Sequence, residues 1–296
     1  MAYAVSAVIP VKNRPTEIIR AVKSILAQTV VPEEIVIVDD GSTDSTPAAI
    51  SQLAEEHSII KPIFLSKSRG ASGARNEGCR AAAGDMLALL DSDDEWLPEK
   101  MELQLKLLTE DEKCPAAGCG MKYDYIDRPS VSRVPPRVIT LEHLSQGNIF
   151  GSASVALIRK SSFVDVGGFD ESLPNCEDWD LWFRLSQIAP LLSTSEIMVR
   201  YSYDGNDKLS RNIDKLILGH NMMRDKILAS VSNQRQRNII IAAHEMKMAE
   251  IAVRTIGSPS MGFKHAWKSL AANAGPQNVT RALKLLAAGA FYSNRY

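Results

Sequence analysis

The sequence predicts an α/β protein: a Rossmann-like, mostly parallel sheet flanked by helices, with a helical C-terminal extension. Three observations predict it. Short, almost wholly apolar runs alternate with segments of helical periodicity over the first 90 residues, as in strands buried on both faces and joined by crossover helices. The polar clusters "KNR", "DDGSTD" and "DSDD" each follow one of these apolar runs, where open α/β sheets bind their ligands. After Tyr203 the pattern is helical to the end.

The elements follow in order. "AVSAVIPV" at 4–11 is a β-rich run stopped by "KNRP", and "TEIIRAVKSILAQT" is a helix behind a threonine cap. Ile35, Val36, Ile37 and Val38 form a second buried strand, Asp39 to Ser42 a turn, and "PAAISQLAEEH" a helix with proline in its first turn. "KPIFLS" is a third strand, "SGARNEGCRAAAG" a third helix closed by Gly84, and "DMLALLD" a fourth strand. "EWLPEKMELQLKLL" reads as a helix that Asp93 or Asp94 caps. From about residue 115 the pattern loosens, and Pro129, Pro135 and Pro136 predict a loop across "DRPSVSRVPPRV". "SASVALIRKSSFVDVGGFDES" gives a strand and a short helix ending at Gly167 and Gly168, and "EDWDLWFRLSQ" a helix opening with acids. Among the later helices "IIIAAHEMKMAEIAVR" is the clearest, with breaks at "GSPSMG" and "AGPQN".

With 296 residues, 45% hydrophobic and 23% charged, the composition is that of a soluble globular protein. The four cysteines are scattered, and "CPAAGC" has neither zinc-site nor redox spacing, so reduced thiols are expected. No stretch approaches the roughly 18 apolar residues of a membrane span, and no secretory signal is visible; the expected location is cytoplasmic. The five histidines, His57, His143, His220, His244 and His265, form no ligand constellation.

The net charge of -1 hides an asymmetry. Residues 1–204 hold 20 Lys and Arg against 30 Asp and Glu, residues 205–296 hold 14 against 5, and no acid follows Glu250. This basic end is either a solvated helical face or a surface for anions such as phospholipid headgroups. "RALKLLAAGAFYSNRY" sets an apolar stripe beside Arg281, Lys284 and Arg295, which predicts peripheral, salt-sensitive adsorption to the inner face of an anionic membrane. Nucleic acid is disfavoured, because the basic residues are not interleaved with aromatics.

Several aspartates at one strand end repel one another unless a cation sits among them. Mn2+ or Mg2+ takes one or two carboxylates and completes its shell with phosphate oxygens. Capping a helix needs one carboxylate, and "DSDD" offers three. Glu177, Asp178 and Asp180 are a second acidic cluster, in which repulsion raises one pKa into the range of a general base; complementing a helix N-terminus is the plainer use for them.

"VIPVKNR", "IVIVDDGSTDST", "GASGARNEG", "LLDSDDEWLPEKM" and "VGGFDESLPNCEDWDLWFRL", in this order and at these separations, resemble the inverting glycosyltransferases of family 2, which have the GT-A fold. The resemblance covers roughly residues 4–200. It implies that Pro10, Val11, Lys12, Asn13, Arg14 and Asp40 line a nucleotide base pocket, with Asp40 accepting a ring N–H. Arg75 would neutralise the donor near its base and phosphates. Asp91, Ser92 and Asp93 would form the D-x-D motif, Asp91 and Asp93 the metal ligands, with Asp93 coordinating an ion that bridges the diphosphate. Asp178 would be the general base beside Glu177, with Trp179 and Trp182 near the acceptor, although two tryptophans three apart on a helix also suit a core. On this reading residues 1–204 are the GT-A domain, 1–114 its nucleotide-binding half and 115–204 its acceptor half, and 205–296 a basic helical region. The resemblance favours a UDP-sugar donor, with GDP- and dTDP-sugars as the alternatives, and a saccharide or lipid-linked acceptor, as in bacterial envelope or exopolysaccharide synthesis.

Other functions fit less well. A dinucleotide oxidoreductase needs G-x-G-x-x-G after the first strand, where this chain has "PVKNRP". A sugar nucleotidyltransferase needs a basic, glycine-rich triphosphate loop near the N-terminus. A non-catalytic nucleotide-sugar-binding scaffold is the alternative from another class, and Asp40, Asp91, Asp93 and Asp178 all being present weighs against it.

Overall fold

The computed structural model describes residues 3–125, 129–203 and 212–293. Two compact units emerge. The first comprises Met1–Leu144, Asn148–Ser172 and Glu177–Asn206; the second comprises Ser145–Gly147, Leu173–Cys176 and Asp207–Tyr296. The boundary expected after residue 204 falls outside the described residues, as does Arg295.

In the first unit β1 (Val5–Val11), β2 (Glu34–Asp39), β3 (Ile60–Phe64) and β4 (Met86–Leu89) alternate with α1 (Glu17–Leu26), α2 (Thr46–Glu56) and α3 (Gly70–Ala81). These four strands lie in the order β3-β2-β1-β4, all parallel. All seven residues of β1 and all four of β4 are buried, which is why both read as unbroken apolar runs. The helices present the stripe their periodicity announced: Ile18, Ala21, Val22 and Ile25 are the buried face of α1. Helix α1 gains no side-chain cap from Thr16.

After β4 the chain departs from expectation. Asp94–Trp96 is a short strand, β5, antiparallel to a late strand and paired there Asp94 to Tyr201. The acids therefore do not cap the next helix, α4, which runs Lys100–Glu110 beyond Pro98. Here buried Trp96 and the distant β partner outweigh local helical propensity.

The expected loop region also holds more structure. β6 (Ala116–Tyr125) is ten residues long; β7 (Val131–Arg133) and β8 (Val138–Ile139) are short, and α5 (Leu141–Gln146) follows. Then come a 3-10 turn (Ala153–Val155), β9 (Leu157–Arg159), α6 (Lys160–Asp165), α7 (Glu177–Leu185) and β10 (Leu191–Tyr203). They extend the sheet as β4-β9-β6-β10-β5. β9 runs antiparallel to both β4 and β6, while β6 and β10 are parallel, so this half of the sheet is mixed. β1 sits between β2 and β4, and this reversal of strand order opens a crevice at their carboxyl ends.

The second unit is helical: α8 (Ile213–Ala229), α9 (Gln234–Ile251) continuing as a π-helical turn over Ala252–Ile256, α10 (Pro259–Ala272) and α11 (Pro276–Ser293). Met246, Ala249, Val253, Ala266, Ala282 and Leu285 form its core. The four cysteines are buried and unbridged. No helix among the described residues is long and apolar enough to cross a membrane.

Candidate active site

The carboxyl ends of β1 and β2 are tied together by their own loops. Asn13 adopts a left-handed conformation (φ 52°); its amide donates to Ser42 Oγ at 2.8 Å, and its Oδ1 accepts from the Thr43 amide at 2.8 Å. Pro10 and Val11 are buried, whereas Lys12 and Asn13 are exposed and Arg14 is partly so. Of residues 10–14, expected together with Asp40 to line a base pocket, the last three have side chains that can meet a ligand. Gly41 (φ 68°) makes the turn after β2, where an added Cβ would stand 3.3 Å from the Ser68 amide nitrogen.

Asp40 is 4% exposed, and it accepts from Ser68 Oγ at 2.6 Å, the Arg69 amide at 2.6 Å and the Gly70 amide at 3.0 Å. These three donors on two oxygens make Asp40 hold the entry of α3, and a carboxylate so engaged keeps room for one further donor. Its neighbour Asp39 accepts from the Ser42 amide through Oδ2 at 3.2 Å, and its buried Oδ1 has no partner. An unsatisfied buried acceptor costs on the order of 1–3 kcal/mol, and at a strand end beside the crevice it suits a ligand donor. Successive strand residues point to opposite faces, so the two aspartates are differently surrounded, and the sequence pattern does not say which of them faces the crevice.

Beyond β4 the acids occupy a tight turn in which the Asp94 amide donates to the Asp91 carbonyl at 3.0 Å. Ser154 braces this turn. Its Oγ accepts from the Asp91 amide at 3.0 Å and donates to Asp94 Oδ2 at 2.6 Å, while its carbonyl accepts from Trp96 Nε1 at 2.9 Å. Ser92 is buried. Asp93 Oδ1 pairs with Arg14 at 2.8 Å, and its carbonyl accepts from Arg20 at 2.9 Å.

Arg75, from α3, joins this turn to α7. Its Nη2 lies 2.6 Å from Asp91 Oδ1 and its Nη1 3.0 Å from Glu177 Oε1, and the guanidinium sits 5.3 Å from the centre of the Phe169 ring. Burial opposes its charge, but Asp91 and Glu177 together outweigh burial, so the proton is held more tightly than in an ordinary arginine. Arg75 is expected to neutralise a donor; here it is engaged by two carboxylates.

The acids of α7 have three fates. Burial, and next the charge of Glu177, push the Asp178 carboxyl up to about 7, against the Trp179 amide and Arg75, which favour its anion. That amide donates to Asp178 Oδ1 at 2.6 Å. Glu177 serves Arg75. Asp180 is buried and accepts from Arg184 Nε at 2.8 Å, and Arg184 in turn holds the Val166 and Gly168 carbonyls at 2.6 and 2.7 Å. Asp180 therefore anchors the glycine turn after α6.

The two tryptophans are core residues. Trp182 is 0% exposed, donates to the Gly151 carbonyl at 3.0 Å and packs its ring 4.9 Å from Phe150. Trp179 is 5% exposed and donates to the Leu144 carbonyl at 2.7 Å. Both are therefore packed as core residues, the use that their three-residue spacing also suits. Tyr123 and Tyr201 also border the acidic groups. They are partners in the β6–β10 register with ring centroids 5.3 Å apart. Burial, then the charges of Asp94, Asp93 and Asp91, raise the Tyr201 phenol; burial raises that of Tyr123, with Asp178 contributing. The pair thus lies within electrostatic reach of both acidic groups. Sequence reasoning missed it because β6 and β10 were not recognised as strands.

Carboxylate oxygens at a crevice mouth suit a hard divalent ion. Among the described residues no three His, Cys, Asp or Glu side chains converge as a complete protein cage. Asp91 and Asp93, the residues whose chemistry would suit such an ion, are each paired with an arginine, Arg75 and Arg14.

Comparison with known proteins places this geometry in a family. The model of Glycosyl transferase family 2 matches residues 6–167, and that of Glycosyltransferase like family 2 matches residues 124–218. An uncharacterized glycosyltransferase of Rickettsia felis is 31% identical over 226 residues, covering 70% of this chain and 36% of that protein. The succinoglycan biosynthesis protein ExoO of Rhizobium meliloti is 37% identical over 123 residues, 42% of this chain and 33% of that one. This chain thus spans about a third of the length of either relative. The crystal structure of S. aureus TarS 1–349 in complex with UDP-GlcNAc superposes with a TM-score of 0.69 at 16% identity, covering 98% of this chain and 89% of that one. The chain has the GT-A fold with C-terminal helices, and it belongs to glycosyl transferase family 2.

Proposed function

We propose that the chain transfers a sugar from a UDP-sugar to a saccharide or lipid-linked acceptor with inversion, and that Asp178 is the general base. One observation carries this reading: Arg75 bridges Asp91 and Glu177, which sets the strand-end acids beside a carboxyl whose pKa stands at about 7. A general base works best with a pKa near the operating pH. Single displacement with inversion needs such a base to take the acceptor's proton on the face opposite the leaving group. The UDP-GlcNAc bound by TarS is consistent with a UDP donor, and the name of ExoO with a polysaccharide product in a bacterial envelope or exopolysaccharide pathway.

On this reading Lys12, Asn13 and Arg14 border the nucleotide, with Pro10 and Val11 shaping its floor, and Asp39 takes the base N–H first assigned to Asp40. Asp91 and Asp93, with Ser92 between them, face the diphosphate. A divalent cation held there, Mn2+ or Mg2+, supplies Lewis-acid stabilisation of charge on the leaving phosphate. Tyr123 and Tyr201 offer rings to the apolar faces of a sugar. Residues 1–204 act as the catalytic domain, and the basic helical region brings it to an anionic membrane on the cytoplasmic side. Calorimetry of UDP binding, followed by acceptor-dependent release of UDP from a panel of UDP-sugars, tests the reading. Tight UDP binding with turnover supports it; UDP binding without turnover over a broad acceptor set supports the scaffold instead.

A further inference from the structure

The second unit exposes an aromatic and basic face that its own packing leaves uncovered. Helix α10 is fixed in rotation by its buried side, formed by Gly262, Ala266 and Ser269. A Cβ on Gly262 would stand 2.3 Å from Val253 Cγ2, so α10 meets the end of α9 closely there. Ser269 Oγ donates to the Ala242 carbonyl at 2.7 Å, and Asn278 Nδ2 donates to Ser269 Oγ at 2.9 Å. With that side locked inward, Phe263 and Trp267, one turn apart, face solvent at 56% and 66% exposure, and Met261 at 43%. Lys264 and Lys268 are exposed beside them. The chain carries no Asp or Glu after Glu250, so no acid on α10 or α11 competes for these lysines.

A helix with lysines flanking exposed tryptophan and phenylalanine matches the boundary between lipid headgroups and acyl chains. The ring bodies partition into the interface, and the ammonium groups meet anionic phosphates. We propose that this face of α10, and not the terminal segment 281–296, is the principal contact of the protein with an anionic phospholipid surface. This deepens the membrane association stated above and names the residues that carry it. Arg281 supports the distinction: its guanidinium is occupied by Glu250 at 2.8 Å.

The other three tryptophans, Trp96, Trp179 and Trp182, are all buried. A lipid-dependent change in intrinsic emission therefore reports on Trp267, and Trp267→Phe removes it. The full chain is titrated with vesicles of phosphatidylcholine and phosphatidylglycerol in equal parts, and with phosphatidylcholine alone, at low and high salt. Sedimentation and tryptophan emission are read together. The expected result is co-sedimentation with the anionic vesicles at low salt, a blue shift of emission, and release by high salt. Phe263→Ser with Trp267→Ser should lose on the order of tenfold or more in partitioning. Each of Lys264→Gln and Lys268→Gln should lose about fivefold, while Lys284→Gln changes little.

Binding that survives loss of both aromatics overturns the assignment, as does a parent protein that ignores anionic vesicles. A blue shift that grows with protein concentration without lipid, together with dimer in analytical ultracentrifugation, would instead make the face a contact between copies and also overturns it. UDP binding measured in the same variants separates the two claims. It should be unchanged, because α10 holds no residue assigned to the donor, and its absence in the parent would count against the transferase reading alone.

Discussion

Asp178→Asn should make the protein more stable and far less active, and the combination identifies a base held at a cost to the fold. In the folded chain this carboxyl has its pKa raised to about 7, against about 4 in an unfolded chain. At pH below about 4 both states carry the proton and the site costs nothing. Between about pH 4 and 7 the unfolded chain releases a proton that the folded chain keeps, so stability falls as pH rises through that window. Above pH 7 the full difference is lost, up to about 4 kcal/mol and about half that for a partly exposed group. Asparagine keeps an acceptor for the Trp179 amide and carries no charge, so it escapes this loss. Urea unfolding at pH 8 should show the variant more stable by about 2 kcal/mol, with the gap closing by pH 4. Turnover should fall about 100- to 10,000-fold with UDP affinity retained, the pattern of an interaction made only in the transition state. An asparagine variant that is less stable at pH 8 yet fully active would refute the reasoning, since it would make Asp178 an ordinary structural carboxylate.

Further outcomes follow from neighbouring contacts. Glu177→Gln removes a charge that raises the Asp178 pKa and leaves Arg75 with one carboxylate fewer; both changes favour the Asp178 anion, so the acid limb of the kcat/KM–pH profile should move to lower pH. Asp93→Ala should abolish any gain in UDP affinity that Mn2+ gives over EDTA, a comparison calorimetry makes directly. Asp39→Asn should weaken UDP binding with little effect on stability, whereas Asp40→Asn should destabilise the chain by about 1–3 kcal/mol through its Ser68, Arg69 and Gly70 bonds. Trp182→Ala should cost about 3–5 kcal/mol in urea unfolding, while Trp182→Phe, if it folds, should leave the KM for acceptor unchanged.

The parallel half of the fold was legible because its strands are buried on both faces and so read as continuous apolar runs; β1 and β4 carry no polar interruption except Ser6. The other half was not. β6 contains Gly118, Cys119 and Gly120, and β10 contains Ser193, Thr194, Ser195 and Glu196. Such residues pair only because a partner strand distant in sequence supplies the hydrogen bonds, which a local pattern cannot register. β5 failed for the same reason, since Asp94 finds its partner in Tyr201. Within the site, the acidic clusters were legible as charge crowded where a strand or turn ends, and Arg75 and Glu177 meet there. What each carboxylate touches was not legible: the three donors on Asp40, the unpartnered oxygen of Asp39 and the burial of Trp179 and Trp182 all depend on packing between distant segments.

The central claim is tested most directly by following the anomeric configuration of the product. A UDP-sugar that supports turnover is supplied with Mn2+ and acceptor, and the new linkage is read by NMR in a single turnover. The account predicts that an α-linked donor gives a β-linked product, and that Asp178→Asn, while still binding UDP, forms none. A product that keeps the donor's α configuration, or an asparagine variant that makes it at the parent's rate, would contradict the account.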